Sequence, residues 1–502
     1  MASNEARTAE RRLGIVTQPA PSATREVVGG SARVFIAEAI SLPTGLVTAA
    51  YLARQLGPSG YGVFTLAVAI VGWMEWTLTS LFARASVRVV ADADDWRPAA
   101  AIVLRIYAVS GAVGLAILWG AAGPLATVMH EPTLTRHVRV LALDVPLFML
   151  SQAHQQILVG TGAYGARAIV GAWRWTARLV LVLVLVGAGL SIDGGLAAIV
   201  GASVIELIAV RRFVKPGVRG GSGRDARAMW TYAIPLVAAA IGLRLFDKLD
   251  LFALKALGAS AAVAGWYGAA QNLTVIPNLI AISVTTLLLS TLTRAIRNAD
   301  ADGARVLAEN ALRGVLVMFP FAGVAAGAAT AVSTMIYGDR FAGTGPLLAV
   351  LIFAALVTVL FSVASVIVTA AGRPRLAMVA ALPVAPLALV GYLVVIPRFG
   401  ATGATVVTLI AGAIGMGLAL VAVHRIWRVR LRLSTVARVT VVTLIVLAVG
   451  VRWQTSGFMA IVELTVMSTV AAAMLVVSGE LTSSERQGVV ELTRRLVSPV
   501  TR

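Results

Sequence analysis

Apolar runs long enough to cross a bilayer recur along the chain from residue 34 to residue 477. A membrane-spanning helix needs about 20 residues that are mostly apolar. Hydrophobic residues make up 59% of the 502 residues, charged residues 13%, and the mean hydropathy is +0.88. The alternating pattern of a membrane β-barrel is missing. The sequence therefore predicts an all-α polytopic membrane protein with about 14 transmembrane helices.

The basic residues alternate between the two ends of these predicted spans. The N-terminus and the loops after even-numbered spans hold most of the loop Arg and Lys, which predicts that both termini are cytoplasmic and that the protein lies in the inner (plasma) membrane. The net charge of +19 then reflects topology, and we predict no nucleic-acid partner. The approximate bounds of spans 1–14 are 34–53, 63–82, 100–120, 138–160, 169–190, 195–210, 229–258, 264–292, 312–335, 346–369, 376–396, 402–423, 436–451 and 458–477.

Short motifs repeat in the two halves of the chain. Leu56-Gly57-Pro58-Ser59 follows span 1 and matches Leu257-Gly258-Ala259-Ser260 after span 7, and a Tyr-Gly pair comes shortly after each. Six spans in each half give both halves the same orientation, which predicts a parallel pseudo-twofold repeat with its axis along the membrane normal. Two further motif pairs share this offset, on the order of 200 residues, namely 162–167 with 372–375 and 193–197 with 399–404.

The repeat and the charge pattern divide the chain into six segments. The polar N-terminal segment lacks the apolar core of a signal peptide, and the C-terminal segment combines a capping box with apolar positions typical of a surface helix. The predicted segments are a disordered cytoplasmic tail (1–31), an N-terminal six-helix lobe (32–213), a basic cytoplasmic linker (214–228), a C-terminal six-helix lobe (229–424), spans 13 and 14 (425–478) and a cytoplasmic amphipathic tail (479–502).

Four charged residues interrupt the apolar sequence of span 7, at Arg244, Asp247, Lys248 and Asp250. Each costs about 2.5–3.5 kcal/mol at the bilayer centre, so such residues face a wet cavity or pair with one another. The first three share one helix face because their spacings are three and four residues. This pattern favours a polar, partly cationic wall of a substrate cavity. The alternatives are a buried ion pair that orients two helices, or a helix end where Lys248 reaches the interface.

Residues 53–62, with Leu56-Gly57-Pro58 and Tyr61-Gly62, resemble the opening signature of the polysaccharide-biosynthesis flippases of the multidrug/oligosaccharidyl-lipid/polysaccharide (MOP) exporter superfamily. Later segments that resemble the family's landmarks are Pro235 with Asp247, Leu257-Gly258, 265–270, 337–341, 372–374 and 396–400. The resemblance covers roughly residues 32–430. It implies two six-helix lobes around a central cavity. It also implies alternating-access transport of a polyprenyl-(pyro)phosphate-linked oligosaccharide to the outer leaflet, for assembly of cell-surface polysaccharide.

Cationic and amide side chains within the spans are the candidates for binding such a substrate. Arg and Lys form charge-assisted hydrogen bonds to phosphate, whereas amides either meet sugar hydroxyls or join helices. The candidate cavity residues are Arg244, Asp247, Lys248, Arg174, Arg178, Gln152, Gln155, Gln271 and Asn272. The candidates for exchanging a proton that couples transport to a gradient are Glu75, Asp247 and His154.

Other function classes are less compatible with the sequence. There is no Cys, no phosphate-binding loop ending in Gly-Lys-Ser/Thr and no metal-ligand spacing, so we predict a non-enzymatic protein without metal or cofactor. The predicted partners are the lipid-linked oligosaccharide and membrane lipids, with a glycan polymerase or another assembly protein left open. Spans 13 and 14 extend past twelve helices, as in lipid II flippases of the superfamily, so lipid II stays an alternative substrate. A multidrug cation antiporter of the same superfamily is the other alternative.

Overall fold

The computed structural model describes residues 21–217, 220, 227, 229–231, 248–429, 432–453 and 455–480. Within these residues every regular element is a helix, and no strand occurs. The all-α prediction is therefore confirmed. Most of the predicted amphipathic tail lies outside the described residues.

The N-terminal half contains six described helices and one π-helical turn. Pro21, the first described residue, is already helical and lies inside the segment predicted to be a disordered tail. The elements are α1 (Pro21–Ala91), α2 (Trp96–Val128), α3 (Leu134–Ala142), α4 (Asp144–Gly160), α5 (Tyr164–Leu185), the π-turn Val186–Leu190 and α6 (Ser191–Val210).

The C-terminal half contains nine described helices, and two more follow it. They are α7 (Leu249–Ala256), α8 (Ala261–Leu273), α9 (Val275–Arg297), α10 (Ala301–Leu316), α11 (Phe319–Gly327), α12 (Ala329–Tyr337), α13 (Thr344–Ala370), α14 (Pro374–Ala381), α15 (Val384–Trp427), α16 (Leu433–Arg452) and α17 (Met459–Val477). A 3-10 turn, Asp339–Phe341, lies between α12 and α13.

Eight continuous helical stretches of the described chain are long and apolar enough to cross a membrane. Three of these stretches cover two predicted spans each, because a sharp backbone reversal joins two helices without a loop. The eight stretches are Pro43–Ala91, Trp96–Val128, Tyr164–Val210, Ala301–Gly327, Thr344–Ala370, Pro374–Trp427, Leu433–Arg452 and Met459–Val477.

The reversals fall at residues with positive φ, and they follow the internal repeat. Gly57 (φ 65°) and Gly258 (φ 95°) occupy matching turns, and glycine adopts such angles without a Cβ clash. Between spans 5 and 6 two residues have positive φ, Gly189 (φ 90°, ψ 6°) and Ser191 (φ 48°, ψ −132°). The backbone of Ser191 resembles that of Gly400 (φ 56°, ψ −138°) between spans 11 and 12. The backbone therefore pairs Ser191 with Gly400, a few residues away from the predicted match of 193–197 with 399–404.

Four predicted spans are each divided by a break between described helices. Span 4 divides at Leu143, span 8 at Thr274, span 9 at Met318 and again at Ala328, and span 11 near Pro383. Pro146 and Pro320 lie in the first turn after two of these breaks. Proline cannot donate the hydrogen bond that would continue the preceding helix, so it favours a new helix start. Hydropathy alone does not detect these breaks because both sides are apolar.

The two halves meet where the second part of α1 packs against α8. Glycines bring these two backbones together. A Cβ on Gly62 would overlap the carbonyl oxygen of Ala261 and lie 2.8 Å from Gly265 N, and a Cβ on Gly265 would overlap the carbonyl oxygen of Pro58. This close contact lies beside the two matching turns at Gly57 and Gly258. It joins the halves on the side of the membrane where the connecting loops contain few Arg and Lys residues.

The last two helices attach to the C-terminal half through α11. Glycine again allows the approach, since a Cβ on Gly327 would lie 2.9 Å from the Cα of Gly450 in α16. Small residues at helix contacts are typical of membrane proteins, where close packing replaces the hydrophobic effect as a driving force. Helices α16 and α17 therefore add to the C-terminal half and leave the contact between the halves free.

Candidate functional site

Five charged side chains from four helices gather inside the N-terminal half. They are Glu75 of α1, Asp144 of α4, Arg174 and Arg178 of α5, and Glu206 of α6, and we call them the N-lobe cluster. Arg174 Nη1 lies 3.3 Å from Glu206 Oε2, and the Glu206 side chain is fully buried. Gln155 of α4 donates a hydrogen bond to the other carboxylate oxygen of Glu206. Arg174 therefore neutralises a carboxylate that has no access to solvent.

The rest of the N-lobe cluster has unused hydrogen-bonding capacity. Glu75 and Asp144 are buried, and they interact electrostatically with each other and with Arg174 and Arg178. Asp144 interacts with the Ser203 hydroxyl and the Glu75 carboxyl. By strict geometry, however, neither Asp144 oxygen, nor Glu75 Oε1, nor Arg178 Nε has a hydrogen-bond partner among the described residues, although all four atoms are buried. Buried polar atoms without partners cost free energy, so a ligand, a proton or water that satisfies them stabilises the site.

Aromatic side chains surround one side of this cluster. The Arg174 guanidinium lies 4.5 Å from the centre of the Phe148 ring, and Trp76 packs edge-on against the same ring at 5.8 Å. Arg178 lies 5.8 Å from the ring centre of Trp175. Trp76 is 51% exposed and the Arg174 side chain 20% exposed. The cluster therefore reaches the surface of the N-terminal half beside Trp76.

A second polar cluster, the C-lobe cluster, consists of Lys248, Asp250, Tyr267 and Gln271. Tyr267 Oη donates to Asp250 Oδ2 at 2.8 Å, and Gln271 Nε2 lies 2.9 and 3.0 Å from the two Asp250 oxygens. Lys248 Nζ donates to Gln271 Oε1 at 2.9 Å. Asp250 is thus held by neutral donors, and the amide of Gln271 links this carboxylate to the ammonium of Lys248.

One hydrogen bond joins neighbours of the two clusters across the contact between the halves. Asn272, next to Gln271 in α8, donates through Nδ2 to Tyr61 Oη at 2.7 Å. Tyr61 in turn interacts electrostatically with Arg178. This bond therefore links the helix that carries Gln271 to a tyrosine that interacts with Arg178.

Further bonds tie the two halves together at the same ends of the helices. Arg54 donates to the carbonyl oxygens of Ile336 at 3.0 Å and Met335 at 2.6 Å. Lys255 Nζ lies 3.3 Å from Glu131 Oε2, and Lys255 is only 3% exposed. Each of these pairs joins one half to the other, so they reinforce the glycine contact between α1 and α8.

The structure brings most of the predicted site residues into one of these arrangements. Gln152 is buried in α4, and His154 hydrogen-bonds through Nδ1 to the Leu150 carbonyl of its own helix at 2.7 Å. Arg244 and Asp247 lie outside the described residues. The N-lobe cluster and its neighbour include Glu75, Arg174, Arg178 and Gln155, the C-lobe cluster includes Lys248 and Gln271, and Asn272 forms the bridge. Within the described chain, no group of three His, Asp or Glu side chains could hold a metal ion.

The structure also places residues in or beside the clusters that the sequence had not assigned to the site. Asp144, Glu206 and Asp250 were each visible as a carboxylate within an apolar span. Tyr61 and Tyr267 belong to the repeated Tyr-Gly pair. The useful signal would have been that a lone carboxylate in a membrane helix needs a partner from another helix.

Comparisons with known proteins place this architecture in a family. A sequence profile described as "Polysaccharide biosynthesis protein" matches residues 28–294, which is more than half of the chain. No curated protein matches the sequence. The matched range runs from within α1 to within α9 and includes the residues of both clusters and the contact between the halves.

Solved transporters share the fold at low sequence identity. A lipid II flippase, MurJ, in an inward closed conformation aligns with a TM-score of 0.75 and 14% identity over 88% of this chain and 97% of that chain. An inward-facing multidrug resistance MATE family transporter of the MOP superfamily aligns with a TM-score of 0.58 and 13% identity, over 82% and 95%. A MOP superfamily transporter from Pyrococcus furiosus aligns with a TM-score of 0.54 and 15% identity, over 83% of this chain and 96% of that chain. The predicted polytopic architecture is confirmed by these likenesses.

Proposed function

Because the chain belongs to the polysaccharide biosynthesis protein family of the MOP superfamily, we propose that it flips a lipid-linked oligosaccharide across the membrane. The substrate is a polyprenyl-(pyro)phosphate-linked sugar that moves from the inner to the outer leaflet for cell-surface polysaccharide assembly. The Arg and Lys distribution supports an inner-membrane location with both termini in the cytoplasm. The six-segment division of the chain, with two six-helix lobes, is part of this proposal.

The N-lobe cluster is the observation that carries this proposal. Lipid-linked sugars have an anionic head that hydrocarbon excludes, and arginine binds phosphate through several donors at once. Arg178 Nε is buried without a partner among the described residues, and Arg174 reaches the surface beside Trp76. We assign the pyrophosphate to these two guanidinium groups and the sugar to the amide groups of Gln152 and Gln155.

The exposed side of the cluster faces water in this proposal. Charged side chains in the middle of membrane helices face a bundle interior or a water-filled cavity, because the cost in lipid is several kcal/mol. Arg174 lies in the middle of α5 and keeps partial exposure next to Trp76. We therefore place the central cavity on this surface, between the two lobes.

Alternating access then requires that the contact between the lobes opens and closes. The glycine contact of α1 with α8, the bond of Asn272 with Tyr61, and the pair Lys255–Glu131 all lie at or near the ends that the charge pattern places outside. This arrangement supports a state that is closed toward the outer leaflet. Opening on that side would break all three contacts together.

Charge balance in the N-lobe cluster suggests how transport is driven. Three carboxyl groups face two guanidinium groups, and a buried carboxyl without a cationic partner is stabilised by binding a proton. Glu75 and Asp144 interact with each other, so the pair can hold one proton between them. We propose that a substrate phosphate bound to Arg178 weakens the attraction between Arg178 and these two carboxylates. The carboxylates then bind a proton more readily, and this couples substrate binding to proton uptake.

The coupling predicts a specific effect of Glu75→Gln. This change keeps the size of the side chain and removes its exchangeable proton. We expect the dependence of flipping on an imposed pH gradient to disappear, measured with purified protein in liposomes that contain a fluorescent lipid-linked sugar. Asp302→Asn, an exposed carboxyl change in α10, is the matched control and should keep the dependence. A Glu75→Gln protein that responds to the gradient like the wild type would remove Glu75 from the coupling.

The lipid-linked sugars of cells depleted of the protein test the function itself. A flippase predicts that one polyprenyl-linked intermediate accumulates on the cytoplasmic leaflet, and its glycan identifies the substrate. An unchanged lipid profile together with altered sensitivity to cationic drugs would instead support a multidrug antiporter. The excess of carboxyls in the N-lobe cluster is the feature that such an antiporter would use.

Lipid II is the second candidate substrate, and the last two helices favour it. Helices α16 and α17 pack on α11 and extend the twelve-helix pattern, and 97% of the MurJ chain is covered by the alignment. Accumulation of lipid II in the depleted cells would select this alternative over a polysaccharide precursor.

A further inference from the structure

A cavity of about 580 Å³ lies apart from both clusters, between α10 and the junction of α15 with α16. Every residue that lines it has a polar or charged side chain. The lining residues are Arg305, Glu309, His424, Arg428 and Arg432. In the proposed topology this junction is the loop after span 12, so the cavity opens at the cytoplasmic face of the membrane.

The cavity carries more positive than negative charge. Arg305 Nε pairs with Glu309 Oε1 at 3.2 Å within α10. Arg428 and Arg432 are exposed, and neither forms an ion pair with any residue in the described ranges. Two guanidinium groups thus remain available at the cavity after the one carboxylate has been neutralised.

Arg428, which brings one of these guanidinium groups to the cavity, has an unusual backbone conformation. Arg428 ends α15 in the left-handed region (φ 52°, ψ 22°), a conformation that is unfavourable for a residue other than glycine. Its N–H donates to the His424 carbonyl at 2.8 Å, and His424 Nδ1 hydrogen-bonds to the Val429 carbonyl at 3.1 Å. These bonds hold His424 and Arg428 side by side on the cavity wall.

We propose that this cavity binds a phosphate ester at the inner membrane surface. Paired guanidinium groups match phosphate oxygens, and basic pockets between membrane helices on the cytoplasmic side recognise anionic lipid head groups. Trp427, next to Arg428, is a residue type enriched at the membrane interface. A phosphate bound there contacts α10 of the C-terminal lobe and the start of α16 together, and so fastens the last two helices to the lobe. The phosphate comes from a phospholipid head group or from a soluble phosphate ester.

Binding of phosphatidylglycerol to the purified full chain in neutral detergent tests this proposal. The comparison lipid is phosphatidylcholine with the same acyl chains. We expect Arg428→Gln/Arg432→Gln to weaken phosphatidylglycerol binding by roughly 30-fold, since each basic residue contributes about 1 kcal/mol near an anionic head group. Arg425→Gln removes one charge from the same segment outside the cavity lining and should bind like the wild type. The melting temperature in detergent alone establishes that each variant is folded.

Glycerol 3-phosphate separates the two sources of the phosphate. Binding of phosphatidylglycerol without glycerol 3-phosphate identifies a lipid site, whereas comparable binding of both identifies a site for soluble phosphate esters. Arg428→Lys/Arg432→Lys should bind more weakly than the wild type but more tightly than the double Gln variant, because lysine keeps the charge and loses the two-pronged guanidinium contact with phosphate. Equal affinity for phosphatidylglycerol and phosphatidylcholine, or full binding by the folded double Gln variant, would overturn the proposal.

Discussion

Arg174→Met is expected to lower the free energy of unfolding by about 3–5 kcal/mol and to abolish flipping. The physical reason lies in Glu206, whose side chain is fully buried and whose Oε2 is 3.3 Å from Arg174 Nη1. Methionine keeps much of the volume of the side chain and its contact with Phe148, but it leaves the carboxylate without a counter-charge. Unfolding by denaturant in detergent measures the stability, and the liposome assay measures the flipping.

A second variant separates the structural role of Arg174 from its proposed role in binding. Arg174→Met/Glu206→Gln removes both charges, and Gln155 can still hydrogen-bond the new amide. We expect stability to return close to that of the wild type, while flipping stays abolished because the phosphate has lost its guanidinium. Arg167→Met, an exposed change on the same helix, is the control and should alter neither property. Normal flipping by the stable double variant would show that Arg174 serves only to neutralise Glu206.

These charges also show how far sequence reasoning reaches in a membrane protein. Arg174, Arg178 and Glu75 could be selected because a charged residue in an apolar span is costly wherever it lies. Their partners could not be selected, because hydropathy and helical periodicity describe one helix at a time. Glu206 lies on a different helix from Arg174, and only the packing of α5 with α6 brings the two together.

For the fold, too, some features could be predicted from the sequence and others could not. The length of the apolar runs and the repeated turns predicted the helical architecture and the repeat. The missing features are local backbone events, such as the helix starts near Pro146 and the strained turn at Ser191. The conformation of Ser191 is favourable for glycine and not for serine, so its residue type gives no indication of the turn. Its identification required the backbone of the matching residue, Gly400.

Gly265→Ala is expected to separate the lobes on the side where α1 meets α8. A Cβ at this position would overlap the carbonyl oxygen of Pro58, and a backbone atom cannot move aside as a flexible side chain can. Overpacking of this kind typically costs about 1–3 kcal/mol. We expect the closed state to lose this free energy relative to the open state, so that flipping stops because one half of the transport cycle is disfavoured.

Because the chain contains no Cys, a single introduced thiol can report this opening. Ala264 is fully buried in α8 beside the contact, so Ala264→Cys should react slowly with a maleimide in the otherwise unchanged protein. Gly265→Ala should raise the labelling rate by about tenfold, which corresponds to 1.4 kcal/mol. Gly417→Ala is the matched control, since a Cβ there meets nothing within 4 Å, and it should leave labelling unchanged. Slow labelling in folded Gly265→Ala protein would mean that the lobes stay together without the glycine contact, and the closure would then rest on the Lys255–Glu131 and Asn272–Tyr61 pairs instead.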